Sequence, residues 1–66
     1  MNNIDARGFS CPEPVLMTKN ALTKGLPLTV LVDNQTAVAN ITRFAKNAGH
    51  VVECKEVGED YELLIK

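Results

Sequence analysis

The run Cys11-Pro12-Glu13-Pro14 is where this chain offers a nucleophile at a fixed place. Proline is accepted in a first helical turn because the first four backbone N–H groups have no intrahelical partner and the ring's φ already suits a helix. Pro12 and Pro14 therefore mark a helix start. Each proline also disfavours the α region for the residue before it, so Cys11 and Glu13 lean toward extended geometry, and either proline can be the first helical residue. In both cases Cys11 stands within a turn of the helix end. A sulfur there faces unpaired N–H groups and the positive end of the helix dipole, which favour a thiolate or persulfide anion. The prolines remove two donors, leaving the N–H groups of Glu13 and Val15, and the Glu13 charge acts in the opposite sense. A rigid start suits a thiol that is presented to a partner protein without enclosing a substrate. The plain alternative is a small apolar residue in a turn.

The other chemistry-bearing residues are less pointed. Cys54 lies in an alternating, strand-like stretch and is expected to be packed, with no catalytic role. No C-x-x-C is present, and two cysteines behind a start unlike an export signal read as separate reduced thiols. A metal site from His50, Cys54 and Cys11 would lack any close ligand spacing, so neither metal nor cofactor is expected. Arg7, Lys19, Lys24 and Arg43 could form a basic rim. Arg7, nearest to Cys11, is the candidate contact for a persulfide or an acidic partner, whereas charges on helix faces are usually solvated. Met17, Phe44 and Tyr61 are expected in the core or at its edge.

With 66 residues, 45% apolar and 23% charged, the chain reads as a single globular domain over 1–66, near the lower size limit for a core-stabilised fold. Seven basic against eight acidic residues give a net charge of -1. No global field would draw it to nucleic acid or an anionic membrane. The apolar stretch Leu28 to Val32 is far too short to span a bilayer and residues 1–10 do not resemble a signal peptide, so a cytoplasmic location is expected.

Elements that would position Cys11 follow from periodicity. Asn2-Asn3-Ile4-Asp5 suits a short strand, and Arg7-Gly8-Phe9-Ser10 a loop. Asp5 is expected to serve that loop as a carboxylate for backbone N–H groups, and Gly8 as a residue free of Cβ strain. From Pro14 to Lys24, Val15, Leu16, Met17, Ala21 and Leu22 share a broad helical face, and Gly25 ends the helix. Leu28 to Val32 reads as a central strand. Asp33 and Asn34 favour a turn and an N-cap, and Val38, Ile41, Phe44, Ala45 and Ala48 predict a second helix over about 35–48, closed by Gly49. Val51 to Val57 and Tyr61 to Ile65 form a hairpin across Gly58-Glu59-Asp60. The order βαβαββ predicts an α+β fold with a parallel unit, an antiparallel hairpin and therefore a mixed four-stranded sheet, two helices covering one face. The other face is either polar or a docking surface for another chain or domain.

The stretch Asp5-Ala6-Arg7-Gly8-Phe9-Ser10-Cys11-Pro12-Glu13-Pro14 resembles the D-x-x-G-x-x-C-P-x-P signature of the TusA/SirA sulfur-carrier family, and the likeness extends over nearly the whole chain. The resemblance implies a two-layer sandwich. It makes Cys11 the carrier of sulfane sulfur, with Asp5, Gly8, Pro12, Glu13 and Pro14 as the motif that supports it. It implies a cysteine desulfurase or other sulfur donor as one partner and an acceptor sulfur-relay protein, a DsrE-like domain among the candidates, as the other. Val32-Asp33-Asn34 with Asn40 to Ala45 is more similar to the YedF-like branch, associated with selenium metabolism, although such chains usually continue into a DsrE-like domain absent after Lys66.

Three readings compete. A sulfur carrier needs only Cys11. A dithiol oxidoreductase normally has a close resolving cysteine, and would be separated by Cys54→Ser. A regulatory or interaction module with a structural Cys11 would keep its partner after Cys11→Ser.

Overall fold

The computed structural model describes residues 2–9 and 13–66. Its element order is β1 (Asn2–Asp5), α1 (Glu13–Leu22), β2 (Leu28–Val32), α2 (Gln35–Asn47), β3 (Val52–Val57) and β4 (Asp60–Ile65), the α+β order expected from the sequence. The sheet runs β1-β2-β4-β3. β1 lies parallel to β2, while β2–β4 and β3–β4 are antiparallel, so the sheet is mixed and β2 is indeed central.

Alternation sets the layers. Leu28, Val30 and Val32 of β2 are fully buried, as are Leu63 and Ile65 of β4, and the registers Leu28↔Ile65 and Val30↔Leu63 put them on one face. Ala21 of α1 and Ala37, Ile41 and Ala45 of α2 close over that face to make one core. Ile4, Val15, Met17, Leu22 and Tyr61 pack around it. Burial of such aliphatic side chains contributes roughly 1.5–3 kcal/mol each, the main term available to so small a domain. The opposite face carries Asn3, Asp5, Thr29, Leu31 and Glu62, which line a shallow depression without a covering layer.

α2 is bounded by its own sequence. Asn34, extended at φ -153 and ψ 156, accepts a hydrogen bond from the Ala37 amide at 2.7 Å. At the other end the His50 amide reaches Ala45 O at 2.9 Å and the Gly49 amide reaches Lys46 O at 3.0 Å. This Schellman pair needs a left-handed residue, supplied by Gly49 at φ +91. α1 is shorter than the periodicity suggests. It stops at Leu22, and Thr23 and Lys24 form a turn in which the Thr23 hydroxyl donates to Asn20 O at 2.6 Å. A hydroxyl that takes up a late carbonyl competes with continued helix.

The expectation that Cys54 is packed is not met: it is exposed. Its register partner Leu63 is buried, so Cys54 points to the helix side of the sheet, but β3 is the edge strand and neither helix covers it there. Every residue of β3 except Val52 is exposed. Alternation alone could not distinguish a covered strand from an uncovered edge.

Candidate functional site

Because β1 and β2 are parallel and α1 connects them, α1 begins beside the carboxyl ends of both strands, and α2 begins there too, directly after β2. That end of a sheet with parallel strands gathers loops and helix N-termini, and it is the usual place for chemistry in such topologies. The described flanks of the motif, residues 5–9 and 13–14, occupy it. Ser10, Cys11 and Pro12 lie outside the described residues, and the flanking residues define the frame.

On the upstream side, the chain leaves β1 through Ala6, which is buried and whose amide donates to Leu31 O at 2.8 Å, one residue beyond the strand pairing. The Phe9 amide then returns to Ala6 O at 3.4 Å, a reverse turn with Arg7 and Gly8 at its centre. Gly8 has φ +83, and a Cβ built there would meet nothing within 4 Å. Glycine is needed at this point for backbone angle and not for space, in keeping with the sequence expectation.

Three carboxylates hold this turn. Asp5 Oδ1 accepts from the Arg7 amide at 3.1 Å, the backbone role expected of it. Asp5 also takes the Arg7 guanidinium in a fork, from Nε at 3.0 Å and from Nη2 at 2.9 Å. The third guanidinium nitrogen, Nη1, donates to Asp60 at 3.1 Å, joining the loop to the start of β4. Finally the Gly8 amide donates to Asp33 Oδ2 at 2.9 Å, which pins the turn to the end of β2. The guanidinium hydrogen bonds hold the Asp5 carboxyl below the usual carboxylate range, and the Gly8 amide, then the Asn34 side chain, do the same for Asp33. The two carboxylates hold Arg7 more firmly charged than usual. The side chain singled out as a possible sulfur contact thus braces the loop between Asp5 and Asp60. The parts played by Asp33 and Asp60 were missed. Asp33 had a signal, an acidic residue directly after the strand parallel to β1, while Asp60 depends on β4 lying beside β2.

On the downstream side, Glu13 is exposed and opens α1, and Pro14 stands at its second position, where a missing N–H deprives no carbonyl of a partner. Pro14 is buried. Its carbonyl accepts from the fully buried Thr18 hydroxyl at 2.9 Å, which ties the first turn of α1 to the second. Phe9 and Leu16 are 43% and 50% exposed on either side of residues 10–12 in sequence, giving the site apolar flanks. Lys19, Lys24 and Arg43 are exposed on the helices and their ends, and Arg43 reaches Asn40 at 3.4 Å.

Residues 2–66 match the model of the family described as sulfurtransferase TusA. The chain belongs to the TusA family. It is 41% identical over 70 residues to a candidate sulfur carrier protein of Methanocaldococcus jannaschii, covering 100% of this chain and 93% of that protein. It is 37% identical over 67 residues to the sulfur carrier protein TusA of Allochromatium vinosum, covering 96% and 88%. The crystal structure of a SirA-like protein from Desulfitobacterium hafniense superposes with a TM-score of 0.91 at 36% identity, covering 98% of this chain and 95% of that one. The two-layer arrangement is therefore that of a TusA-family fold, with the described flanks of its motif at the carboxyl end of the parallel strands. Among the described residues no cluster of three His, Cys, Asp or Glu could hold a metal, and no helix is long and apolar enough to cross a membrane.

Proposed function

We propose that this TusA-family chain is a sulfur carrier, a single domain over 1–66 that works in the cytoplasm. The Cys11 thiolate attacks the outer sulfur of a donor persulfide, the donor's S–S bond breaks, and the donor thiolate leaves. Cys11 then holds the sulfur as a persulfide until an acceptor thiolate attacks that outer sulfur and releases Cys11. Each step exchanges one S–S bond for another, so no external oxidant or reductant is required. The observation that carries this reading is the Cys11-Pro12-Glu13-Pro14 run at the start of α1 in a chain matched to the family along almost its whole length.

Donor and acceptor are proteins with reactive sulfur, a cysteine desulfurase or other sulfane-sulfur source on one side and a relay protein, such as a DsrE-like domain, on the other. Support comes from the site's form: a braced turn, a proline-started helix and the exposed apolar residues Phe9 and Leu16 suit a sulfur presented at a surface. Asp5 and Gly8 set the turn, and Pro12, Glu13 and Pro14 set the helix start. Intact-protein mass spectrometry after incubation with a cysteine desulfurase and cysteine tests the proposal. Wild type and Cys54→Ser are expected to gain about 32 Da, and Cys11→Ser to gain nothing. Loading that survives Cys11→Ser, or that fails in the wild type with several donors, would overturn it.

A further inference from the structure

β3 is an edge strand with one side open. Val51 and Lys66 exchange both backbone hydrogen bonds, at 3.1 and 2.9 Å. In an antiparallel ladder the exchanging positions alternate, so Glu53, Lys55 and Val57 also turn their N–H and C=O groups to β4, while those of Val52, Cys54 and Glu56 point out to the open edge. The strand has no proline, and among the described residues no helix or loop pairs with its open edge. Edges left in this state are templates for another strand.

The side chains along the edge are self-complementary. Val51, Glu53, Lys55 and Val57 share the face away from the helices, and reversal of the strand about Cys54 turns their order apolar, acidic, basic, apolar into its charge complement. An antiparallel second copy centred on Cys54 sets Glu53 against Lys55 of that copy and Lys55 against its Glu53. Val51 then meets Val57, the two being 61% and 45% exposed in the single chain. These four contacts fall at non-hydrogen-bonded positions, where cross-strand side chains approach most closely. The outward N–H and C=O groups of Cys54 meet their symmetry mates, and those of Val52 meet those of Glu56.

Neighbouring registers do not share this property. A two-fold axis at residue 53 sets Glu53 against itself, an axis at 55 sets Lys55 against itself, and an axis at 56 does the same to Glu56. Glu53 already accepts from Lys66 Nζ at 3.1 Å through Oε2, which leaves Oε1 for a second cation. The Glu56 side chain falls opposite Val52 at the rim, the one indifferent pairing in the set.

We infer that β3 is a homodimerisation edge, joining a second copy of this chain into a continuous eight-stranded sheet. A perpendicular two-fold axis keeps all four helices on one face, with the two Cys54 side chains beside each other on that face. Six-residue edges bury less than a standard interface, so association is concentration-dependent. It is independent of the chemistry at Cys11.

Sedimentation over a concentration series tests the inference in the full chain with E53K, K55E and the exchange E53K/K55E. The wild type is expected to dimerise reversibly. Either single variant puts two like-charge contacts in the interface and is expected to weaken association about tenfold. The exchange recreates both opposite-charge pairs and is expected to recover to within about threefold of the wild type. Both positions are exposed, and circular dichroism checks that each variant folds. Amide exchange gives a second reading that needs no variant: protection of Val52, Cys54 and Glu56 is expected to rise with concentration. A wild type that stays monomeric at the highest concentration with unchanged edge amides, or an exchange variant no better than the singles, would overturn the inference.

Discussion

α2 enters its first turn behind a side chain of its own, Asn34, and puts Ala37, Ile41 and Ala45 into the core. α1, starting at the same end of the sheet, opens on Glu13 and Pro14 and buries Pro14, Thr18 and Ala21. Its buried set contains no large aliphatic residue, and Leu16 is half exposed. The more deeply seated helix carries no candidate chemistry, and the helix attached to Cys11 is the more lightly packed. Its position relies on Thr18 bonded to Pro14 and on a preceding loop tied to the ends of β1, β2 and β4. In a carrier that must be met by different proteins, a firm scaffold and a lightly packed presenting helix divide the work.

Mutation separates the two helices. Ile41→Ala should cost about 3 kcal/mol of global stability, whereas Thr18→Val, which keeps the volume and removes the hydroxyl, should cost about 1 kcal/mol. Denaturant midpoints for the two variants check this, and equal losses would show that the helices are seated alike. Removing the cap of α2 with Asn34→Ala should cost about 1 kcal/mol, read from the same unfolding curves.

The carboxylates of the loop respond to pH with a smaller effect. Asp5 and Asp33 have carboxyls held below their ordinary value of 3.8, so their contribution is present in full above that value and is lost as pH falls through the lowered folded values. Both are exposed, so the loss is local to the loop. The Gly8 and Arg7 amide resonances, bonded directly to Asp33 and Asp5, should therefore shift most through an acid titration in that window, while the Ala37 amide, which reaches Asp33 only through the Asn34 side chain, should shift less. Equal shifts at Gly8 and Ala37 would mean that the loop and the α2 cap are one unit.

Much of this was legible in the sequence. The strand from Leu28 to Val32, the cap at Asn34 and the stop at Gly49 came from periodicity and local chemistry, since each depends on residues within a few positions of itself. The parts that were not legible all involve distance along the chain. Arg7 meets Asp60 across 53 positions and Gly8 meets Asp33 across 25, and neither pairing exists until β1, β2 and β4 are side by side. Cys54 was misread for a related reason: strand periodicity reports which side a residue faces, and only the strand order β1-β2-β4-β3 reports that nothing lies over it.

The register Asn2↔Leu28↔Ile65 brings the first strand's beginning and the last strand's end together at one edge of the molecule. The turn at Gly8 and the start of α1 lie at the far side. A tether, tag or fused neighbour joined near Asn2 or Lys66 would thus leave from the rear, and the chain could be immobilised by either terminus with the Gly8 turn and the start of α1 at the opposite end.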